Sequence, residues 1–304
     1  MSSQIPLVSV CMITFNQAEF IQRSIEGILM QNVDFDFQLL IANDASPDCT
    51  EELVNKYIHD YPKGNRIKYI RHSKNFGMMA NFIFALKECN GKYIALCEGD
   101  DYWTDPYKLQ KQVDFLEANS DFVLCYHPVN VLFPDGQIDE DYHVKGIIDK
   151  SESNIYDLAA IGNYIHTPSV VFRNLLNTYP DSFNETPIGD YFLWMLLAQH
   201  GKIKKLPDVM AIYRHGVGVH STQNDDMRSD SFIKTLDVLS KTISDKTIVK
   251  ILRNRILAIK SASLPYPVRA LKNYRDLTKA EILKDYVDFG QLVKAIWLKI
   301  RRKF

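Results

Sequence analysis

LCEGDDYWTDPYKL, residues 96–109, carries more chemistry than any other stretch of this chain. It follows Tyr93-Ile94-Ala95, so one apolar run through Cys97 ends in three carboxylates within four residues: Glu98, Asp100 and Asp101. An apolar run of this length reads as a buried strand. Acids crowded at its end repel one another and call for a counter-cation. Oxygen-only donors suit Mg²⁺ or Mn²⁺, which take a few carboxylates together with substrate phosphate oxygens. The carboxyl edge of the strands is also where open α/β sheets bind ligands. The plainer reading is a solvated acidic turn opening the next helix, with Asp105 as N-cap and Pro106 at the first helical position. That accounts for Asp105 but not for the other three acids.

Working outward, strands and helices alternate. Residues 7–13 read as a strand, and 17–30 place Phe20, Ile21, Ile25, Ile28 and Leu29 at helical spacing. A strand over 37–42 ends in Asn43-Asp44-Ala45-Ser46-Pro47-Asp48, and a helix follows with Leu53, Val54, Tyr57 and Ile58 on one face. A strand at 67–71, a helix through Met79, Phe82, Ile83 and Leu86, and the strand 92–97 lead to a helix carrying Leu109, Val113 and Leu116. A strand at 121–126 has a hairpin partner expected at 129–133, ending at Pro134-Asp135-Gly136. This alternation predicts an α/β fold with a doubly wound, mostly parallel sheet. Residues 135–165 read as a long loop with a short helix. Strand character returns at 169–173, helix character at 190–199, and 206–222 is a segment with Gly and His. From about 226 glycine nearly vanishes and Lys, Leu and Ile recur at helical spacing, with a capping box at Thr278-Lys279-Ala280-Glu281. The expected organisation is a domain over 1–225 and a C-terminal helical region over 226–304.

The chain has 304 residues, of which 46% are apolar, and a formal charge of −1, which argues against nucleic acid as the main partner. Cys11, Cys49, Cys89, Cys97 and Cys125 form no CxxC pair and read as small hydrophobes in a reducing compartment. No signal peptide is evident, and no apolar segment approaches the ~18 residues of a spanning helix. These features predict a cytoplasmic protein, or one attached to the inner face of a membrane.

Each candidate group in the first half follows a predicted strand: Thr14-Phe15-Asn16, then Asn43-Asp44, then His72-Ser73-Lys74-Asn75, then the acids. In a parallel sheet these ends converge on one crevice. A ring, a carboxylate and a metal-type acid group there suit a nucleotide. Phe15 stacks on a base or belongs to the core. Asp44 accepts a base or ribose hydrogen, or forms an Asx-turn. The acids hold a metal on a diphosphate.

The series VSVCMITFNQAEFIQRSIEGILMQ, LLIANDASPDCT, RHSKNFGMMAN and LCEGDDYWTDPYKLQKQ resembles the inverting family 2 glycosyltransferases with the GT-A fold, of the kind that builds bacterial polysaccharides and cell envelopes. The likeness runs over roughly residues 6–222. It implies a nucleotide-sugar donor, UDP-linked, with Phe15 under the uracil and Asp44 bonded to the base. Asn16 and Asn75 belong to the same nucleotide-binding motifs. The DxD-type motif falls on Glu98, Asp100 and Asp101, which implies ribose binding by Glu98 and Asp100 and Mn²⁺ or Mg²⁺ binding by Asp100 and Asp101. Asn43 and Glu98 depart from the family pattern, where aspartate is usual at both places.

The resemblance further implies a catalytic base in the Gly189-Asp190 pair at a helix start. An acceptor hydroxyl must lose its proton as it attacks the anomeric carbon, and a carboxylate in reach suits that task. Without the resemblance, Asp190 reads equally as a helix N-terminal acid stabilised by the dipole. The segment Tyr213-Arg214-His215-Gly216-Val217-Gly218-Val219-His220 suits a loop closing over the diphosphate, with Arg214 and His215 offsetting charge and a histidine, His220 or His215, completing the metal shell. His166 and Trp103 are candidates for the acceptor side. The implied activity is hexosyl or N-acetylhexosaminyl transfer to a glycan or lipid-linked glycan.

Other classes fit less well. A nicotinamide-binding enzyme wants a Gly-rich turn where Thr14-Phe15-Asn16 stands. A phosphatase with an aspartyl nucleophile wants that aspartate after the first strand. A non-catalytic nucleotide- or sugar-binding protein needs neither Asp190 nor the metal acids. Lastly, residues 291–304 hold Lys294, Lys299, Arg301, Arg302 and Lys303 beside an apolar stripe with Trp297. That is the pattern of a helix on a membrane surface, or of one packed on the catalytic domain with a basic tail.

Overall fold

The computed structural model describes residues 5–140, 150–218 and 221–262. The chain opens with three strand–helix units and the strand that follows them. They are β1 (Val8–Thr14), α1 (Ile21–Leu29), β2 (Phe37–Asn43), α2 (Thr50–Asp60), β3 (Ile67–Arg71), α3 (Met78–Glu88) and β4 (Tyr93–Leu96). β5 (Tyr102–Trp103), α4 (Lys108–Ala118), β6 (Phe122–Tyr126), β7 (Asn130–Leu132) and β8 (Ile138–Glu140) come next. After them stand β9 (Glu152–Ser153), α5 (Ile155–Ile161), β10 (Val171–Arg173), α6 (Gly189–Leu197), β11 (Lys202–Lys205) and β12 (Ala211–Arg214). α7 (Asp225–Thr242) and α8 (Lys246–Ala262) end the described part.

Eight strands form the main sheet in the order β3-β2-β1-β4-β10-β6-β11-β9. β3, β2, β1 and β4 are parallel neighbours; β10 runs antiparallel to both β4 and β6, and β11 is parallel to β6. The chain winds outward from β1 to β3, then returns to lay β4 on the other side of β1. The crevice at the β1/β4 carboxyl ends is therefore a topological switch point, where such sheets bind ligands.

Both faces of this sheet are covered, so its strands are apolar throughout rather than half polar. Val8, Val10, Met12, Leu39 and Ile41 pack with α1 and α4 on one face; Cys11, Leu40, Ala42, Ile94 and Leu96 pack with α3 and α6 on the other. α6 is buried from Tyr191 through Leu197, with Phe192 stacked on Phe183 and Trp194 edge-on to Phe172. α7 and α8 add Leu236, Leu239, Ile248 and Leu252 to this second core. α7 itself starts at Asp225.

A smaller sheet, β5-β12-β7-β8, leans on α1. Here the expected hairpin between 121–126 and 129–133 is corrected: β6 and β7 lie in different sheets. His127-Pro128 separates them; proline offers no N–H to a ladder, and the His127 ring Nδ1 lies 2.8 Å from the Pro128 carbonyl. β7 pairs instead with β8 across the Pro134-Asp135-Gly136 turn. The N-cap expected at Asp105 also moves. α4 starts at Lys108, while Asp105 Oδ1 accepts from Tyr107 N at 2.8 Å and Oδ2 pairs with Lys111 at 2.8 Å. The Thr278–Glu281 capping signal and the 291–304 segment lie outside the described residues. Among the described residues no helix is long and apolar enough to cross a membrane.

α1 and β5 approach each other closely at Gly27. A Cβ at Gly27 would stand 2.7 Å from Trp103 O and 2.9 Å from Trp103 N. Backbone cannot yield as a side-chain tip can. Gly27→Ala is therefore expected to destabilise, because overpacking (about 1–3 kcal/mol) outweighs the better helix propensity of alanine (about 1 kcal/mol). The midpoint of urea unfolding should fall; an unchanged or higher midpoint would show that α1 can move away from β5 at no cost.

Candidate active site

Thr14, Asn43 and Arg71 are in register at the carboxyl edge, whereas β4 stops at Leu96, opposite Cys11. The chain after β4 continues alongside the end of β1, with Cys97 N donating to Cys11 O and Gly99 N to Ile13 O. This brings the acids level with Thr14. Oxygens of Glu98, Asp100 and Asp101 all lie within 4.8 Å of one another. Asp100 and Asp101 are buried, and Glu98 is half-buried.

Such a cluster is electrostatically expensive. Burial pushes the Glu98 carboxyl up to about 8, with the neighbouring charges of Asp100 and Asp190 adding to the effect. Burial likewise raises Asp101 well above the carboxylate range, reinforced by Asp100 and opposed by the Arg214 backbone N–H. Burial raises Asp100 too, against the opposing Arg214 charge and a Gln17 hydrogen bond. Among the described residues Asp100 Oδ1, Asp101 Oδ2, Gln17 Oε1 and Thr14 Oγ1 are buried without a hydrogen-bond partner. Hard oxygen donors, mutually repelling and partly unsatisfied, fit a divalent cation such as Mg²⁺ or Mn²⁺.

β12 closes one side of this cluster. Arg214 N donates to Asp101 Oδ1 at 2.8 Å, and the Arg214 guanidinium lies over the rings of Phe20 and Tyr102, 5.0 Å from each centroid. The chain then passes over Asp100. A Cβ at Gly218 would approach Asp100 Oδ2 to 3.3 Å, so only a residue without a side chain passes here freely. The His215 ring packs on Phe133, with centroids 5.3 Å apart. His220 lies outside the described residues.

The residues expected to meet a nucleotide line the same edge. Phe15 is 45% exposed at the end of β1, and Asn16, at φ 55°, donates its N–H to Ser46 Oγ. Asp44 is buried, and its two oxygens accept from Phe76 N and Gly77 N, each at 2.8 Å. It thus ties the end of β2 to the loop after β3. Asn75 Oδ1 accepts from Gly77 N in that loop.

Asp190 stands across the crevice in the first turn of α6, where the helix dipole favours a carboxylate. Asn163 Nδ2 donates to Asp190 Oδ2 at 2.8 Å, and Tyr191 N lies 2.7 Å from Oδ1. The His166 ring packs on Tyr213, whose hydroxyl burial and the charges of Asp101 and Glu98 hold protonated. Trp103 is placed differently from expectation. It is only 2% exposed and its indole N–H donates to Pro168 O, so it supports the turn after His166 from within the core.

The arrangement brings together Glu98, Asp100, Asp101, Arg214 and, by its charge, Asp190. Gln17, Asn163 and the buried Lys108 carried no sequence signal of their own. Lys108 lies 4.1 Å from the Trp103 ring centroid and donates to Gln112 Oε1; burial pulls its ammonium down to about 7.

Residues 9–179 match the family described as Glycosyl transferase family 2. The chain belongs to this family. It is 37% identical over 220 residues to an uncharacterized protein of Mycobacterium tuberculosis, covering 72% of this chain and 62% of that protein, so it spans less than two thirds of that relative. It is 25% identical over 276 residues to the Escherichia coli UDP-Glc:alpha-D-GlcNAc-diphosphoundecaprenol beta-1,3-glucosyltransferase WfaP, covering 90% of this chain and 99% of that enzyme. Among solved structures it is similar to Staphylococcus aureus TarS 1-349 in complex with UDP (TM-score 0.61, 16% identity, 86% of this chain and 76% of that one). It is also similar to the Pyrobaculum calidifontis mannosyltransferase PcManGT in complex with GDP-Man and Mn²⁺ (TM-score 0.59, 16% identity, 99% and 89%). The architecture is the mixed α/β GT-A type, with a large, mostly parallel sheet and C-terminal helices.

The raised Glu98 carboxyl has a measurable consequence. In the metal-free protein the folded state keeps a proton on Glu98 that the unfolded chain releases near 4.5. Stability then falls as pH rises from there through about 8, since the native state binds more protons. Relative to Glu98→Gln, the metal-free wild type should lose thermal stability across that window, and added Mn²⁺ should restore more of it at the alkaline end. A pH-independent difference between the two proteins would contradict the half-buried, repelled carboxyl.

Proposed function

We propose that this chain moves a hexosyl or N-acetylhexosaminyl group from a UDP-linked donor to a hydroxyl of a glycan or lipid-linked glycan, with inversion. The observation that carries this reading is the pair of acid groups across one crevice: three mutually repelling carboxylates at the end of β4, and Asp190 on the facing helix within reach of their field. A binding protein would need neither. The named activity of the Escherichia coli relative supports a UDP-linked donor and a lipid-diphosphate-linked acceptor.

In this reading Phe15 stacks on the base, and Asp44, Asn16 and Asn75 shape the base and ribose pocket. Glu98 and Asp100 reach the ribose; Asp100 and Asp101, with His220, hold the divalent cation. That ion, Mn²⁺ or Mg²⁺, supplies Lewis-acid stabilisation of the departing nucleoside diphosphate. Arg214 and His215 offset charge beside the diphosphate. Asp190 accepts the proton of the acceptor hydroxyl as its oxygen forms the new bond to the anomeric carbon. The bond from that carbon to the diphosphate oxygen breaks, and the electron pair leaves with the nucleotide. Asn163 keeps the Asp190 carboxylate turned toward the crevice. His166 borders the acceptor side, with Trp103 beneath it. Residues 1–225 carry donor and chemistry, and 226–304 form a helical appendage. The protein works in the cytoplasm, on polysaccharide for the cell envelope, with peripheral contact to the inner membrane face through 291–304.

Two substitutions separate the roles. Asp101→Asn should weaken Mn²⁺-dependent UDP binding in calorimetry and abolish turnover; unchanged affinity and metal dependence would remove Asp101 from the metal site. Asp190→Asn should leave UDP-sugar binding nearly intact and slow turnover by about 10²–10⁴-fold, the usual share of a general base. Wild-type turnover would exclude the role, and proton NMR showing retained anomeric configuration in the product would exclude a single displacement.

A further inference from the structure

α8 has two unlike faces. Its inner face buries Ile248, Ile251 and Leu252, and Arg255 reaches inward to donate to Ala159 O at 3.2 Å while lying over the Phe232 ring. Its outer face carries Lys246, Lys250, Arg253, Leu257 and Lys260, all exposed. Steps of four, three, four and three residues put them in one row, about 21 Å long at a 1.5 Å rise per residue. α8 contains no acidic residue. Asp245, just before it, is engaged in capping, accepting from Thr247 N at 2.8 Å and Ile248 N at 3.0 Å.

Among the described residues none of the four cations forms an ion pair. Solvated helix faces usually interleave signs, because like charges at these spacings cost a few tenths of a kcal/mol per pair. A row of one sign with an exposed leucine between Arg253 and Lys260 is therefore a feature that solubility alone does not ask for. An open depression lined by Ser244, Lys246, Val249, Lys250, Arg253 and Asn254 includes three cations of the row.

We propose that the outer face of α8 is a docking surface for an anionic lipid bilayer. Charge complementarity selects the partner: a straight cationic row with one apolar contact matches a plane of phosphates over hydrocarbon. The near-neutral chain as a whole disfavours nucleic acid. The position of α8 fits as well. Arg255 anchors α8 to the end of α5, and the residues just beyond α5 include Asn163, which holds Asp190. The bilayer would lie about one helix diameter, 10 Å, from the segment that orients the proposed base. This site is distinct from 291–304, and it is read without turnover, so it stands or falls apart from the sugar-transfer reading.

The test is co-sedimentation of the full chain with phosphatidylcholine vesicles, with and without phosphatidylglycerol. Wild type should partition onto the anionic vesicles only, and less as salt rises. The variant K246E/K250E/R253E/K260E should partition at least about ten-fold less, since each basic residue near the surface contributes about 1 kcal/mol. If that variant does not fold by circular dichroism, K246Q/K250Q/R253Q/K260Q takes its place with the same expectation. Equal partitioning of wild type and a folded variant would overturn the proposal. So would failure of wild type to bind anionic vesicles, or charge-dependent retention on single-stranded DNA without vesicle binding.

Discussion

Three carboxylates held within 4.8 Å inside a protein repel one another, and that repulsion is the constraint around which this crevice is built. Two unit charges 4 Å apart at an effective dielectric of 20 interact by about 4 kcal/mol. Left alone, such a cluster would open toward water or take up protons, and the raised carboxyls of Glu98, Asp100 and Asp101 express the second tendency. The surroundings oppose the first. Asp101 is fixed by the backbone of Arg214, Asp100 meets Gln17, and Gly99 N is tied to Ile13 O. The acids cannot spread, so their unpartnered oxygens stay grouped.

The same constraint explains the second sheet. β12 runs beside β5, where its Arg214 amide reaches Asp101, and β7, itself paired with β8, is its partner on the other edge. Beneath this junction lies a buried polar network. Lys108 donates to Gln112, whose amide donates to Cys125 O and Ser169 O, while Trp103 donates to Pro168 O. Acid loop, α4, β6 and the turn after His166 are thereby locked together. Removing one member would leave a buried donor or acceptor without a partner, a larger loss than the net value of its bond.

Much of this was legible in the residues. Covered parallel strands announce themselves by unbroken apolar runs, and the four loops after β1 to β4 had to meet at one edge once the strands were parallel. Local patterns were weaker wherever tertiary contacts decided. Residues 129–133 looked like a hairpin return because alternation does not reveal which sheet a strand joins; His127-Pro128 broke the ladder. Asp105 looked like an N-cap, yet its bonds to Tyr107 and Lys111 hold a turn ahead of the helix. Trp103 was a candidate for the acceptor side, because a tryptophan beside the acids gives no hint that its strand turns it inward. Asn163 and Gln17 are single amides whose partners lie 27 and 83 residues away, which no spacing could disclose.

The two sides of the crevice are built by different means. On the side of β1 to β3, every group is set at the end of a parallel strand, where register fixes position: Thr14, Asn43 and Arg71 are level because β1, β2 and β3 pair residue for residue. On the other side, Asp190 rides on α6, a helix apolar on all sides that can be held only by being enclosed. α3, α5 and α7 enclose it, and α8 braces α5 through Arg255. Tyr191, next to Asp190, donates to Leu158 O, and Asn163 reaches back from just beyond α5. The direction of the Asp190 carboxylate therefore depends on α5 being pinned. The helices after residue 225, far along the chain from the acids of β4, take part in the site through this packing.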